Sequence, residues 1–303
     1  MAEKSELVSR VLLLAEKNGF TEISPVELND GGNLIIHLSP YPVVARISTA
    51  ISKENLDQAY AIQQRELQVA NHLQTSGVPV LLPTDMIDAG PYDIGGTWMT
   101  LWQFETRVQS HLSPAEAVEL VNRMSNAMKD YPGELPAFGV WDRTCQSAVR
   151  LREYPDQRVQ ALLGIFQKVK EKMRQEPEIL IPCHGDANVG NLFPCNKGWI
   201  WMDFEDASLM PFYWDLASYV CVPALFRGIQ SPILKYILDQ IDDQTNLKLF
   251  CFTLIVRTLT SSLGNLDYAL IGHGDLDFAL EELELAEDFI HQIELISKGN
   301  ANR

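Results

Sequence analysis

The chain has 303 residues, 46% hydrophobic and 21% charged, which supports a large core and excludes a disordered chain. Forty acidic residues against 24 Lys and Arg leave a formal net charge of −16, a sign that repels phosphate backbones and anionic lipid. Neither nucleic acid nor a membrane is therefore expected as a partner, and the length suggests about two domains.

In chain order, residues 6–18 read as an amphipathic helix ending at Gly19. Its apolar run, Val11 to Ala15, is too short for a signal-peptide core, and with no export signal in view a cytoplasmic location is expected. From Ile23 to Ile47 the signals are β, with Asn29-Asp30-Gly31-Gly32 as a turn between two strands. A helix follows from about Ser52 to Thr75, closed by Ser76-Gly77. Residues 80–104 return to strands, with Gly95-Gly96 as a turn and TWMTLWQF as the last strand. Ser113, Pro114 and Glu116 then mark a helix start as N-cap, N1 and N3. Helical patterns dominate to the end, apart from residues 179–206, which read as strand, loop, strand, turn, strand. Leu247 to Leu263 is the most apolar stretch, but Lys248 and Arg257 interrupt it and it reads as a buried helix. The five cysteines are odd in number with no CxxC spacing, so neither a disulfide framework nor a zinc site is expected. The expected organisation is α+β: a β-rich lobe over 1–104 and a mostly helical lobe over 105–303.

The segment richest in chemistry is CHGDANVGNLFPCNKGWIWMDFEDA, residues 183–207. Cys195-Asn196-Lys197-Gly198 is a turn signal between two strand-like runs, and a hairpin centred near residue 197 places Asn191 opposite Asp203. Asp186 enters the same hairpin five residues before Asn191. Three oxygen-bearing side chains then converge. Magnesium takes oxygen ligands, commonly one or two carboxylates plus phosphates and water, which suits Asn191 and Asp203. A further carboxylate must orient an attacking hydroxyl and accept its proton, which suits Asp186.

His184-Gly185-Asp186 with Asn191, and the aromatic strand ending in Asp203-Phe204-Glu205, resemble the aminoglycoside phosphotransferase and choline kinase family. Trp214-Asp215-Leu216-Ala217 also matches that family's pattern. The resemblance implies a protein kinase-like two-lobed fold and an ATP- and Mg2+-dependent transfer of phosphate to a small-molecule hydroxyl. It implies Asp186 as catalytic base, Asn191 and Asp203 as metal ligands, and supporting roles for His184 and Asp215. A second triplet, His273-Gly274-Asp275, has Leu280 where an Asn is needed and is expected to be a plain loop.

The N-terminal lobe carries an independent signal. Ile62, Glu66, Val69, Ala70 and Leu73 share one helix face, so Glu66 interrupts an apolar stripe and needs a partner. Arg46, facing the same way as Val44 in the strand 43–47, is the natural one. A kinase lobe uses such a strand cation to hold nucleotide phosphates and such a Glu to position it. The family usually has Lys there, and Arg presents a planar fork in its place. Gly31, Gly32 and Asn33 would form the phosphate-covering loop. By resemblance, backbone groups at Trp102, Gln103 and Phe104 would meet the adenine.

For the acceptor, Glu205, Asp206, Asp267, Asp275, Asp277 and Glu281 offer negative charge to a cationic molecule. Phe212, Tyr213, Trp214, Tyr219 and Tyr268 offer aromatic faces. The alternative reading is a nucleotide-binding, pseudokinase-like regulatory module without turnover, whose foothold is Arg46. A protein kinase is disfavoured, because Glu205 replaces the Gly of Asp-Phe-Gly and no Ala-Pro-Glu follows.

Overall fold

The computed structural model describes residues 4–30, 32–49, 55–175 and 180–299. In chain order the elements are α1 (Lys4–Lys17), β1 (Ser24–Asp30), β2 (Asn33–Ser39), β3 (Val43–Ser48), α2 (Leu56–Thr75), β4 (Tyr92–Asp93) and β5 (Trp98–Gln103). Then come α3 (Pro114–Met128), α4 (Gly139–Arg150), α5 (Gln157–Gln175), β6 (Leu180–Cys183), β7 (Leu192–Cys195), β8 (Gly198–Trp201) and β9 (Ser208–Pro211). The chain closes with α6 (Trp214–Arg227), α7 (Pro232–Gln240), α8 (Gln244–Leu270) and α9 (Leu276–Ser297). They form two compact units, Met1–Ser110 with Leu192–Glu205, and His111–Asn191 with Asp206–Arg303.

The first unit is built on an antiparallel sheet of order β1-β2-β3-β5-β4. Alternation sends Leu34, Ile36 and Leu38 of β2 inward, with Val43, Ala45 and Ile47 of β3 beside them. Leu7, Val11 and Ala15 of α1, spaced at i, i+4 and i+8, cover that face. β3 is buried along its whole length, so its other set, Val44, Arg46 and Ser48, is buried as well. That is why a cation can sit inside this lobe at all. On α2 the buried face includes Glu66, Val69, Ala70 and Leu73, as the stripe requires. Asn55 caps α2 by accepting from the Gln58 amide, and residues 52–54 of the expected helix lie outside the described residues.

Two differences from the sequence reading concern this unit. Within residues 80–104 only Tyr92–Asp93 and Trp98–Gln103 are strands; Val80 and Pro83 make single bridges, because this Pro-rich stretch lacks the donors for a ladder. The hairpin β7–β8 belongs with the sheet lobe, although it follows residue 104 by some 90 positions in sequence. The Trp201 amide donates to Pro79 O at 3.0 Å, Leu81 N to Trp201 O at 2.8 Å, and Val108 N to Pro194 O at 3.0 Å. The fully buried Trp201 anchors it.

The second unit is helical, with β6 and β9 as a small antiparallel pair. A complete capping box starts α3, with Ser113 and Glu116 in the expected places. α8 is long and apolar enough to cross a membrane by composition, but 78% of its apolar window is buried within the protein, so it packs as a core helix. Asp275 of the second His-Gly-Asp caps α9 by accepting from the Phe278 amide, and that triplet is a loop.

Candidate active site

In the first unit, Arg46 gathers three carboxylates. Nη1 donates to Oε2 of Glu66, while Nη2 donates to Oδ1 of Asp203 at 2.9 Å and to Oε2 of Glu205 at 2.6 Å. Arg46 and Glu66 are buried, whereas Asp203 and Glu205 remain partly open. The Asn33 amide also donates to Glu205 Oε2, at 3.2 Å, and Arg65 Nη2 donates to the Glu205 carbonyl at 3.0 Å. One guanidinium therefore faces three carboxylates, one buried and two partly open to water, with Arg65 close by on the Glu205 carbonyl. Burial pushes the Glu66 carboxyl up to about 7 against the pull of Arg46, with Glu205 adding to the push. Burial works to lower Arg46, yet Glu66, Glu205 and Asp203 together raise it and keep it charged.

Asp203 sits in left-handed backbone, φ 66°, just past the end of β8. The β7–β8 ladder ends at Leu192 opposite Trp201. Asn191 is therefore not the ladder partner of Asp203, as the hairpin register expected; it closes a single 3-10 turn, Val189–Asn191. The turn appears because Asn188 bends the chain, its Oδ1 accepting from the Gly190 amide at 2.7 Å.

Asp186 lies in the second unit, on a loop between β6 and that turn. Asp215, at the start of α6, accepts from the amides of His184 at 3.1 Å and Gly185 at 3.2 Å, and from the Ser125 hydroxyl at 3.2 Å. Burial pushes the Asp215 carboxyl up, although these donors pull against it. The Trp214 indole donates to the Gly185 carbonyl at 2.6 Å, and buried His184 accepts from the Asp186 amide through Nδ1 at 3.4 Å. Gly185 has φ +90°, and a Cβ there would lie 1.9 Å from the Asp206 carbonyl, so glycine is obligatory.

The loop presents the Asp186 carboxylate with both oxygens held. Oδ2 accepts from Asn188 Nδ2 at 2.7 Å and from Asn191 Nδ2 at 3.2 Å; Asn191 Nδ2 also reaches the Asp186 carbonyl at 2.8 Å. With its nitrogen so engaged, Asn191 turns its Oδ1 elsewhere. Asp186 Oδ1 accepts from Arg257 Nη2 at 2.5 Å, and Arg257 Nε donates to the Ser218 hydroxyl at 3.0 Å. Arg257 is a residue of this site that motif reading missed. Its signal is a charge interrupting the apolar run of α8, but only packing reveals what it meets.

Other sequence candidates divide. Gly31 lies outside the described residues; the Gly32 carbonyl accepts from the Thr49 hydroxyl at 3.0 Å. Trp102 is buried with its indole on Thr100, and the amides of Gln103 and Phe104 donate to Leu82 O and Pro42 O, each at 2.9 Å. Those two N–H groups are thus spent inside the lobe. Of the acceptor candidates, Asp267 is bound by Arg150 and Ser147, Asp275 is a cap, and Trp214 is core. Asp206 pairs with Arg143 at 2.6 Å. Burial opposes its charge, yet Arg143, His184 and Arg257 hold it below the ordinary carboxylate range.

A small unit of antiparallel sheet with a buried strand cation and helix Glu, and a larger helical unit with a braced His-Gly-Asp loop, define a protein kinase-like fold. Residues 46–240 match the phosphotransferase enzyme family, and the chain belongs to that family. The choline kinase of Streptococcus pneumoniae is similar in structure, with TM-score 0.67 at 13% identity over 93% of this chain and 99% of that one. A choline/ethanolamine kinase family protein from Mesorhizobium loti has TM-score 0.62 at 16% identity, over 96% and 99%. An amicoumacin kinase in complex with AMP-PNP, Ca2+ and Ami has TM-score 0.63 at 17% identity, over 98% and 96%. At these identities the likeness establishes the fold. No curated protein matches the sequence.

Proposed function

We propose that the chain transfers the γ-phosphoryl group of ATP, with Mg2+, to a hydroxyl of a small molecule. The observation that carries this reading is the Arg46 network, in which buried Arg46 and Glu66 and the partly open Asp203 meet in one ion cluster. A strand cation, a helix Glu and an Asp just past the second hairpin strand are parts that kinase-type phosphoryl transfer uses.

The donor set fits magnesium. Among the described residues no group of three or more His, Cys, Asp or Glu could hold a metal, so an all-protein cage is not offered. Asn191 Oδ1 and the Asp203 carboxylate are hard oxygen donors, in the number magnesium takes when phosphates and water complete its shell. When bound, the ion neutralises charge on the phosphates and aligns them for in-line attack.

Asp186 is the base. Its carboxylate is fixed by Asn188, Asn191 and Arg257, so it orients an acceptor hydroxyl and takes its proton as the new bond forms. Arg257 acts through Asp186, as a positioning residue. Arg46 orders the carboxylates and offers charge to the phosphates, and Glu66 fixes Arg46.

The test is ADP release from MgATP against a panel of aminoglycosides, amino alcohols, sugars and nucleosides. Release that depends on an acceptor and disappears in Asp186→Asn and Asp203→Ala, with both variants folded, is the expected result. Full turnover in Asp203→Ala refutes the assignment. The second reading, a nucleotide-binding module without turnover, draws on Arg46, whose two terminal nitrogens are both engaged by carboxylates. It predicts MgATP binding with no release across the panel.

A further inference from the structure

A second place in the molecule, in the helical unit, has the character of a binding site. α5, α8 and the end of α9 line a half-open groove of about 340 Å³. Lys168 and Lys172 reach it from α5, Lys248 from α8 and Lys298 from the end of α9. Ile165, Val169, Phe252 and Ile255 make its apolar wall. On α5 the spacing 165, 168, 169, 172 is one helical face, and on α8 the spacing 248, 252, 255 is another.

The charge of this groove runs against that of the whole chain. The protein carries −16, yet four ammonium groups meet here with one carboxylate, Glu294. Glu294 approaches Lys298 at 3.8 Å, an exposed i, i+4 pair of small worth. Lys172 lies 4.0 Å above the Phe252 ring, a cation–π contact that orients it over the apolar wall. Lys168 and Lys248 make no ion pair among the described residues. The four ammonium groups are exposed, so their mutual repulsion is screened by solvent, but together they set a locally positive potential around the groove. An anion is drawn to that potential, and an apolar body attached to it covers Phe252 and the aliphatic side chains.

We propose that this groove binds a small organic anion with an apolar body, of the class of a medium-chain carboxylate. Its volume falls at the small end of small-molecule sites, roughly 300–1,000 Å³, so the occupant is a small molecule. The proposal is independent of the phosphotransferase reading, because none of these residues belongs to the Arg46 or Asp186 networks.

The test is calorimetric titration of the full chain with decanoate, with 1-decanol as the apolar control and inorganic phosphate as the charge control. Decanoate is expected to bind saturably at one site, more tightly than either control, and more weakly as salt rises. Lys168→Gln combined with Lys248→Gln is expected to weaken decanoate about tenfold, from two lost charge contacts. Both side chains are exposed, so the double variant keeps the fold, checked by an unchanged unfolding temperature. Absence of saturable decanoate binding, equal binding of decanol, or an unchanged affinity in the double variant overturns the proposal.

Discussion

Glu66→Gln tests the electrostatic account of the sheet lobe. The Glu66 carboxyl is held near 7, against an ordinary 4.5, because burial and the neighbouring Glu205 outweigh Arg46. The folded state therefore binds this proton more tightly than the unfolded chain. Stability from that proton is fully present below about 4.5 and is lost as pH rises through 7. At about 1.4 kcal/mol for each pH unit of displacement, the loss across the window is on the order of 3 kcal/mol. The substituted glutamine is nearly isosteric, can still accept from Arg46, and does not titrate. Thermal unfolding of both proteins between pH 4 and pH 8 reads the effect of the cluster, since groups outside it cancel in the difference. The variant is expected to gain on the wild type by about 5 °C in Tm from the acid to the alkaline end, from an unfolding entropy of about 2.1 cal/mol/K for each of 303 residues. Parallel curves refute the reasoning. A wild type that gains on the variant as pH rises would show instead an ordinary ion-paired Glu66, charged throughout.

Other outcomes follow from the same geometry. Arg46→Lys replaces a fork that spans three carboxylates with a single ammonium, so at least one carboxylate loses its partner; denaturant unfolding should show about 1–3 kcal/mol of lost stability. Gly185→Ala drives a Cβ into the Asp206 carbonyl at a positive φ, and about 3 kcal/mol or more of stability should go, with phosphotransfer lost in whatever folds. Arg257→Gln should lower kcat by about tenfold to a hundredfold with little change in KM for ATP, and Arg257→Lys should restore part of it. An unchanged kcat in Arg257→Gln would show that Arg257 does not position Asp186.

How much is legible in the sequence depends on the range over which each feature is determined. Short-range chemistry is readable. The Ser113 capping box, the strands on either side of the Asn29–Gly32 turn and the helical stripe around Glu66 each follow from a period, a turn signal or a local hydrogen bond. So does the Arg46–Glu66 pair, because two separate periodicities each bury a charge, and a buried charge demands an opposite one. The His-Gly-Asp loop is identified by its spacing to Asn191, and the absence of that spacing correctly leaves His273-Gly274-Asp275 as a loop.

What only the tertiary structure decided is which distant groups share a site. The hairpin register misleads because the turn is centred between Asn196 and Lys197, which would set Asn191 against Met202, and because Asn188 holds Asn191 in a 3-10 turn outside the ladder. Glu205 joins Arg46, and Arg257 joins Asp186, across 159 and 71 positions of sequence. The lysine groove assembles from three helices, and no one of them alone shows that the lysines of the others arrive beside its own. Local periodicity tells which side of an element is buried; it carries no record of which other element arrives to bury it. That choice belongs to packing, where one guanidinium is shared among whichever carboxylates the fold brings within reach.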